Sequence, residues 1–323
     1  MPAHAPLITT RFGAASTADD VVAGVDLSSV RTVVTGASSG IGLETARSLA
    51  RAGGQVTLAV RNPDAGARAA HDIATSTGSD DVHVAALDLA DQAAVGSFVR
   101  SWNGPLHLLI NNAAVITPAL SRTAEGWELQ FATNYLGHFT LSRGLHSALA
   151  AGARERGEAR IVSLTSGAHM RSPVVFDDIG FGRRDYDPQA AYAQSKTATS
   201  LLAVEATRRW APDGIVANAV NPGGVATGLQ RSFTQKQKDY LAEAEAAGAF
   251  SYKSAQQGAA TTLVAAVAPE FAHTGGHYLD DGREAQTVPD DADLFAHSHG
   301  VKQWAIDPDT AHRLWTVSLE LIG

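Results

Sequence analysis

The chain has 323 residues, of which 45% are hydrophobic and 18% charged, enough apolar material for one large core. Its formal net charge of −8 argues against a nucleic-acid or membrane partner, because both favour a basic face. The absence of cysteine excludes disulfides and thiol catalysis and fits a cytoplasmic protein, and we expect neither a signal peptide nor a membrane span.

Short β-branched runs alternate with helical patterns, which is typical of a parallel sheet built from βαβ units. We therefore expect one α/β domain over residues 1–323, a Rossmann-type doubly wound parallel sheet of about seven strands with helices on both faces. The predicted strands are Arg31–Thr35, Gln55–Val60, Val82–Leu87, Leu106–Ile110, Arg160–Leu164, Val216–Val220 and His277–Leu279. The predicted helices are Ile41–Ala52, Asp64–Thr75, Gln92–Ser101, Glu125–Leu149, Gln189–Trp210 and Ala255–Val267.

Four segments fall outside this alternation of strands and helices. Residues 1–25 are expected to form an N-terminal arm, and residues 308–321 a C-terminal amphipathic helix. Residues 168–188 and 226–253 each follow a predicted strand, where doubly wound folds place their ligand sites. Both segments are therefore expected to wall a substrate site.

The second of these segments, 226–253, is predicted to be a mobile lid over an apolar pocket. Gly224 and Gly228 can act as hinges, and the stretch Leu241–Ala249 has a helical composition. A helical face would carry the apolar side chains inward on closure. The apolar side chains are Leu229, Phe233, Tyr240 and Leu241, of which the first three share one helical face.

The first predicted strand runs directly into a glycine-rich turn that is followed by a helix. Glycines in such a turn let the backbone approach a pyrophosphate, and the helix start offers unpaired N–H groups. The alternative is a tight strand-to-helix turn without a ligand, but the position between a strand and a helix favours a dinucleotide. The residues expected to contact it are Gly36, Ser38, Ser39, Gly40, Ile41 and Gly42.

The second predicted strand ends in Val60-Arg61-Asn62, where an NAD-dependent enzyme would carry a carboxylate. Arg61 can pair with a 2′-phosphate, although a plain surface arginine would look the same in sequence. The missing carboxylate favours NADP(H) as the cofactor.

Tyr192 and Lys196 are four residues apart in a predicted helix and therefore share one face. A tyrosine becomes a useful acid or base near neutral pH when a nearby cation favours its phenolate. The pattern YxxxK is common, so it gains meaning only from the phosphate-binding turn that precedes it.

Six motifs in this order resemble those of the short-chain dehydrogenase/reductase family, over roughly residues 20–323. They are TGASSGIG, NNAA at Asn111–Ala114, NYLGHF with Asn134, SLTS ending at Ser166, YAQSK, and NPGGVAT at Asn221–Thr227. Within the family, the sequence is most similar to retinol dehydrogenases and the WW-domain oxidoreductase.

The resemblance implies a role for each matching residue. Tyr192 would be the acid or base, Ser166 would bind the substrate oxygen, and Lys196 would bind ribose and lower the pKa of the tyrosine. Asn134 would hold a water of a proton relay. Asp88 would contact adenine and Thr227 the carboxamide. The remaining cofactor contacts implied are Leu89, Asn112, Ala113, Ala114, Pro222, Gly223 and Val225.

Plainer interpretations stand beside some of these roles. Asn134 could serve packing inside a helix, and Ser166 could be a strand-end cap. Ala114 replaces a glycine of the family's NNAG motif, which would be costly if that position required a positive φ.

The function expected is NADP(H)-dependent interconversion of a carbonyl and an alcohol on a hydrophobic small molecule. Reduction of C=C or C=N bonds by the same residues is an alternative, and a cofactor-sensing regulatory protein is another. A homodimer is left open. No metal site is expected, because Gly275-Gly276 separates His273 from His277, and His297 and His299 show no acidic partner at useful spacing.

Overall fold

The computed structural model describes residues 6–226, 252–293 and 296–323, together with Gly228 and Glu243. Its centre is one sheet in the order β3-β2-β1-β4-β5-β6-β7-β8, parallel from β3 to β7. The short β8 joins β7 antiparallel, and β9 and β10 form a separate parallel pair. The strands are β1 Arg31–Thr35, β2 Gln55–Val60, β3 Val82–Ala86, β4 Leu108–Asn111, β5 Ala159–Leu164, β6 Ile215–Asn221, β7 Tyr278–Asp280, β8 Arg283–Glu284, β9 Thr287–Val288 and β10 Val301–Lys302.

Helices cover both faces of this sheet. In the described residues they are α1 Ala18–Val22, α2 Gly40–Arg51, α3 Pro63–Thr77, α4 Gln92–Ser101, α5 Leu129–Phe131, α6 Gly137–Gly144, α7 His146–Arg156, α8 Pro188–Trp210, α9 Ala255–Val267 and α10 Pro308–Ile322. The predicted Rossmann-type α/β fold is confirmed. Its strand order reverses at β1, which has β2 on one side and β4 on the other, and ligands bind beside such a reversal.

Local sequence sets where most of these helices begin. Asn62, Asp91, Asp187 and Asp307 each accept a backbone N–H of the first turn of α3, α4, α8 and α10. Proline occupies the first turn of α3, α8 and α10, where its missing N–H has no helical partner to lose. The predicted starts of α3 and α8 were therefore one residue late.

The sheet separates two hydrophobic cores. Along β1, Val33 packs into one core and Val34 into the other, because successive side chains of a strand point to opposite faces. The strands β4, β5 and β6 are buried along their whole length, as expected for a parallel sheet covered on both faces.

The prediction of one continuous helix over Glu125–Leu149 was wrong. The Glu128 carboxylate accepts the N–H groups of Gln130 and Phe131, so the helix begins only at Leu129. A π-helical turn over Ala132–Leu136 separates α5 from α6, and the chain turns again at Leu145 before α7. Hydrophobic periodicity does not report such interruptions, because it does not detect polar contacts such as the capping of the helix start by Glu128.

Smaller corrections concern strand ends and the arm. The predicted strand Leu106–Ile110 runs instead from Leu108 to Asn111, and β3 ends one residue early at Ala86. The predicted His277–Leu279 strand is shifted to Tyr278–Asp280. The arm is partly ordered by side-chain contacts, since its Ile8 N–H donates to Glu284 at 2.9 Å.

Candidate active site

The turn after β1 is shaped to receive an anion. Gly36 and Gly40 have φ values of +66° and +61°, which favour glycine. A Cβ on Gly42 would lie 2.9 Å from the Gly36 carbonyl oxygen, so this close approach also requires glycine. Ser39 precedes α2 without capping it, so its side chain leaves the first N–H groups of the helix uncovered.

A cleft of about 600 Å³ opens from this turn along the carboxyl ends of β1, β2, β4 and β5. It is lined by these predicted site residues: Gly36, Ser38, Ser39, Gly40, Ile41, Gly42, Arg61, Asp88, Leu89, Asn112, Ala113, Ala114, Tyr192, Lys196 and Pro222. It is also lined by residues that the sequence analysis missed: Ala59, Val60, Asn62, Leu87, Val115, Ile116, Thr133, Leu164, Thr165 and Gly228. Most of the missed residues are sequence neighbours of motif residues at strand ends. Their proximity to the motifs could have identified them as candidate site residues.

Residues that follow β2 and β3 also line this cleft. Arg61 is exposed just beyond β2 with its side chain at the cleft. Asp88 accepts the N–H of Ala90 at 3.0 Å and so stabilises its own turn. Leu89 is buried beneath it. The cleft thus presents a guanidinium just beyond β2 and a carboxylate just beyond β3.

The Asn112–Ala114 loop is held against the phosphate turn by Thr35. The Thr35 hydroxyl accepts the N–H groups of Asn112 and Ala113 at 2.9 and 3.0 Å. The Asn112 amide donates to the Thr35 carbonyl at 2.7 Å. Ala114 does not have a positive φ, so replacing the family's glycine carries no backbone strain here.

Tyr192 and Lys196 lie on the same face of α8, and both line the cleft. The Lys196 ammonium is 5.6 Å from the centre of the Tyr192 ring and donates to the Leu164 carbonyl at 2.7 Å. Burial raises the pKa of Tyr192 to about 12, while a hydrogen bond with Ser166 opposes this shift. Burial lowers the pKa of Lys196 to about 7. The phenol therefore holds its proton at neutral pH, and the lysine is close to losing its charge.

Ser166 lies just beyond β5, and of the two roles considered for it the structure shows the cap. Its hydroxyl accepts the N–H of Ala168 at 3.2 Å, which makes it a cap, and it also bonds the Tyr192 hydroxyl. Capping thus holds the side chain beside the tyrosine.

Asn134 sits in the π-helical turn with its side chain fully engaged in the protein. Its amide accepts from Val115 N at 2.8 Å, donates to the Val115 carbonyl at 3.1 Å and donates to the Ser195 hydroxyl at 3.0 Å. Ser195 in turn donates to the Tyr192 carbonyl at 2.7 Å. The residue therefore connects the loop after β4 to the helix that carries Tyr192 and Lys196.

His169 forms a hydrogen bond with the Ser166 carbonyl, and the sequence analysis did not identify it as a site residue. Its Nε2 accepts the N–H of Lys302 at 3.3 Å, so Nδ1 carries the proton and donates to the Ser166 carbonyl at 2.8 Å. The Tyr278 hydroxyl lies 3.1 Å from the same nitrogen. His169 is fully buried, and this burial lowers its pKa to about 4. It therefore stays neutral at physiological pH.

Asn221, at the end of β6, links Ser166 to the Pro222–Gly223 loop. Its side-chain oxygen accepts from Gly167 N and from Gly223 N, each at 3.2 Å. Gly223 has a φ of +80° and packs on Lys253. Val225 pairs with Lys253 in a parallel bridge, so the two ends of the segment 226–252 lie side by side. Thr227 and the lid residues Leu229, Phe233, Tyr240 and Leu241 lie outside the described residues, as does the predicted helix Leu241–Ala249 except for Glu243, which is helical.

One group of possible metal ligands occurs within the described ranges: Asp280, Asp281 and His299, whose ligand atoms lie within 4.8 Å of one another. The expectation that His299 lacks an acidic partner was wrong, because Nδ1 lies 2.8 Å from Asp280 Oδ2. The hydrogen bond from His299 to Asp280 and the charges of both carboxylates raise the pKa of His299. Lys253 pairs with Asp281. Each of the two carboxylates therefore already has a partner within the protein.

None of the described helices is long and apolar enough to cross a bilayer.

A family model described as short chain dehydrogenase matches residues 31–238. The chain is 46% identical to a probable oxidoreductase of Streptomyces lividans, over 93% of this chain and 99% of that one. It is 37% identical to the polyprenol dehydrogenase and 35% identical to retinol dehydrogenase 13 of Mus musculus. Each of these alignments covers 90% of this chain and 83% of the mouse protein.

Proposed function

The chain belongs to the short-chain dehydrogenase family, and on that premise we propose that it is an NADP(H)-dependent enzyme that interconverts a carbonyl and an alcohol on a hydrophobic small molecule. The observation that supports the proposal most is that Tyr192 and Lys196 lie together at one wall of the cleft that begins at the phosphate turn, with Ser166 hydrogen-bonded to Tyr192.

Tyr192 is proposed as the proton donor in reduction. Its raised pKa keeps the phenol protonated at neutral pH, which is the form that an acid requires. When bound, the reduced nicotinamide would supply a hydride to the carbonyl carbon. Tyr192 would then give its proton to the oxygen while Ser166 holds that oxygen by a hydrogen bond. Lys196 is proposed to bind ribose and, when charged, to favour the phenolate that this transfer leaves.

The residues around the turn fit a dinucleotide diphosphate. The glycines leave room where a Cβ would collide, and the start of α2 directs N–H groups toward the space that the cleft provides. Arg61 is the group proposed to select the 2′-phosphate of NADP(H), since a guanidinium binds phosphate oxygens in a bidentate manner.

The proposed substrate class is a long isoprenoid or comparable apolar alcohol or aldehyde. Two relatives of this chain are named for polyprenol and retinol, which are both isoprenoid alcohols. The apolar side chains Val115, Ile116 and Leu164 line the cleft beyond the phosphate turn.

A panel of purified compounds tests the proposal. NADPH oxidation is followed with farnesal, decanal, cyclohexanone, cyclohexenone and 1-pyrroline, each repeated with NADH. We expect the fastest turnover with farnesal and NADPH. Turnover confined to cyclohexenone or 1-pyrroline would contradict carbonyl reduction, and binding of NADPH without turnover of any compound would favour a cofactor sensor.

A further inference from the structure

His138 is a second buried histidine beside the active site to which the proposed reaction gives no task. It lies in α6, one helical turn after Asn134, and only 1% of its surface is exposed. Its two ring nitrogens have partners on different parts of the site. Nε2 is 2.9 Å from the Thr35 hydroxyl, and Nδ1 is 2.9 Å from the Asn134 carbonyl oxygen.

These partners determine the tautomer of the ring. A carbonyl oxygen can only accept, so Nδ1 must carry the proton that is donated to Asn134. The Thr35 hydroxyl already accepts two N–H groups, from Asn112 and Ala113, and its own proton has two acceptors within reach. The nearer is Nε2 at 2.9 Å, and the other is the Ile110 carbonyl oxygen at 3.3 Å. Because Nδ1 carries the ring proton, Nε2 needs a donor. Nε2 therefore receives the Thr35 proton. Burial lowers the pKa of His138 to about 4, which agrees with a neutral ring.

The bonds form a chain with one direction. The N–H groups of Asn112 and Ala113 donate to Thr35, Thr35 donates to His138, and His138 donates to the Asn134 carbonyl. From the same Asn134, the side-chain amide donates to Ser195, which donates to the Tyr192 carbonyl. Buried hydrogen bonds aligned in this way strengthen one another.

We propose that His138 is a positioning residue that fixes the dinucleotide-binding turn relative to α8, and hence the nicotinamide relative to Tyr192. By taking the proton of Thr35, it leaves both lone pairs of that hydroxyl to the Asn112–Ala113 loop, which forms one wall of the cofactor cleft. The inference rests on the proposed function only in that a nicotinamide dinucleotide occupies the cleft.

A double-mutant cycle with NADPH binding as its readout tests this role without a known substrate. His138→Phe, Thr35→Val and the double variant are compared by NADPH fluorescence titration, with the melting temperature recorded for each. We expect each single substitution to weaken binding about tenfold. In His138→Phe the Thr35 hydroxyl loses its nearer acceptor and keeps only the Ile110 carbonyl at 3.3 Å, and in Thr35→Val the N–H groups of Asn112 and Ala113 lose their acceptor. The NADPH affinity of the double variant should lie within about twofold of that of Thr35→Val, because both substitutions break the same chain of hydrogen bonds.

His107→Phe is the matched control. His107 is also a buried histidine bonded to the backbone of β1, but it accepts the N–H of Arg31 at the opposite end of that strand. Its substitution should lower the melting temperature and leave NADPH binding unchanged. His138→Gln, whose amide oxygen can accept the Thr35 proton, should recover most of the affinity.

Three results would overturn the proposal. They are additive losses in the cycle, unchanged affinity in His138→Phe, or an equal loss of affinity in His107→Phe. If the wild-type chain binds neither NADPH nor NADH, the proposed cofactor is wrong and the inference falls with it. Binding by the wild type without turnover leaves the cycle valid and points instead to the wrong substrate class.

Discussion

The two walls of the cleft are assembled differently. On the proposed cofactor wall, residues come in runs, since Gly36–Gly42 and Asn112–Ala114 each follow one strand and nearly all of them line the cleft. On the substrate wall, Ser166 is held by His169, which is bonded to Lys302, 133 residues further along the chain. Asn221 adds a bond to Gly167 from 54 residues away. Residues that are contiguous in sequence can be recognised as a motif. Residues that are distant in sequence come into contact only in the folded protein, so their grouping cannot be read from the sequence.

If the walls are functionally separable, damage to one should leave the other intact. Substitutions on the substrate wall should then change turnover without changing NADPH affinity. Substitutions on the cofactor wall should do the reverse.

Tyr192→Phe should have the largest effect, a loss of turnover of about a thousandfold, because the transferable proton is gone while the ring remains. NADPH affinity and the melting temperature should hardly change. Stopped-flow measurement of NADPH oxidation with the best aldehyde of the panel checks this.

The matched control is Tyr135→Phe, which removes a buried hydroxyl that lies 2.7 Å from the Ser318 hydroxyl in α10. It should keep turnover within about threefold and cost about 1 kcal/mol of stability. Comparable loss in both variants would mean that the phenol of Tyr192 acts through structure alone.

Arg61→Ala should lower the preference for NADPH over NADH by roughly ten- to hundredfold, since a charge-assisted phosphate contact contributes on the order of 1.5–3 kcal/mol. The ratio of kcat/KM for the two cofactors is the measurement. Arg154→Ala removes an exposed charge on α7 and should leave the ratio unchanged. Equal efficiencies with both cofactors in the wild type would refute the assignment of Arg61.

His169→Phe should lower kcat about tenfold, because Ser166 loses a bond to its carbonyl and is held less firmly. His169→Asn, which keeps a donor near the Nδ1 position, should recover part of the loss. Met170→Leu, a change at the adjacent buried residue, is the control. A loss of NADPH affinity that matches the loss of kcat would show that the two walls are not separable.

Lys196→Met should abolish most activity yet raise the melting temperature by a few degrees, because a buried amine is replaced by an apolar chain. Burial lowers the pKa of Lys196 from 10.5 to about 7, so the unfolded chain binds this proton more tightly than the folded one. The destabilisation is complete below pH 7 and fades as the pH rises toward 10.5. The gain in melting temperature should therefore be larger at pH 6 than at pH 10, and the reverse order would contradict burial of a charged amine.

The sequence predicted the cofactor wall in detail and the substrate wall only in outline. A strand, a glycine turn and a helix start are local features, so Gly36, Gly40 and Gly42 could be placed from spacing alone. The roles of His138 and His169 could not be predicted from the sequence, because they depend on the hydrogen-bond partners of each ring nitrogen. The contacts of Asn134 with Val115 and Ser195, like the break in the helix around it, were missed for the same reason.

The most direct test of the account is the product formed from farnesal and NADPH. Farnesal carries a C=O and a conjugated C=C in one molecule, so a single product spectrum separates the two reactions. We predict farnesol with the double bond intact, formed one for one with NADPH consumed by the wild-type enzyme and nearly absent with Tyr192→Phe. Two results would contradict carbonyl reduction with Tyr192 as the acid. One is the aldehyde in which only the conjugated C=C has been reduced, and the other is farnesol formed equally fast by Tyr192→Phe.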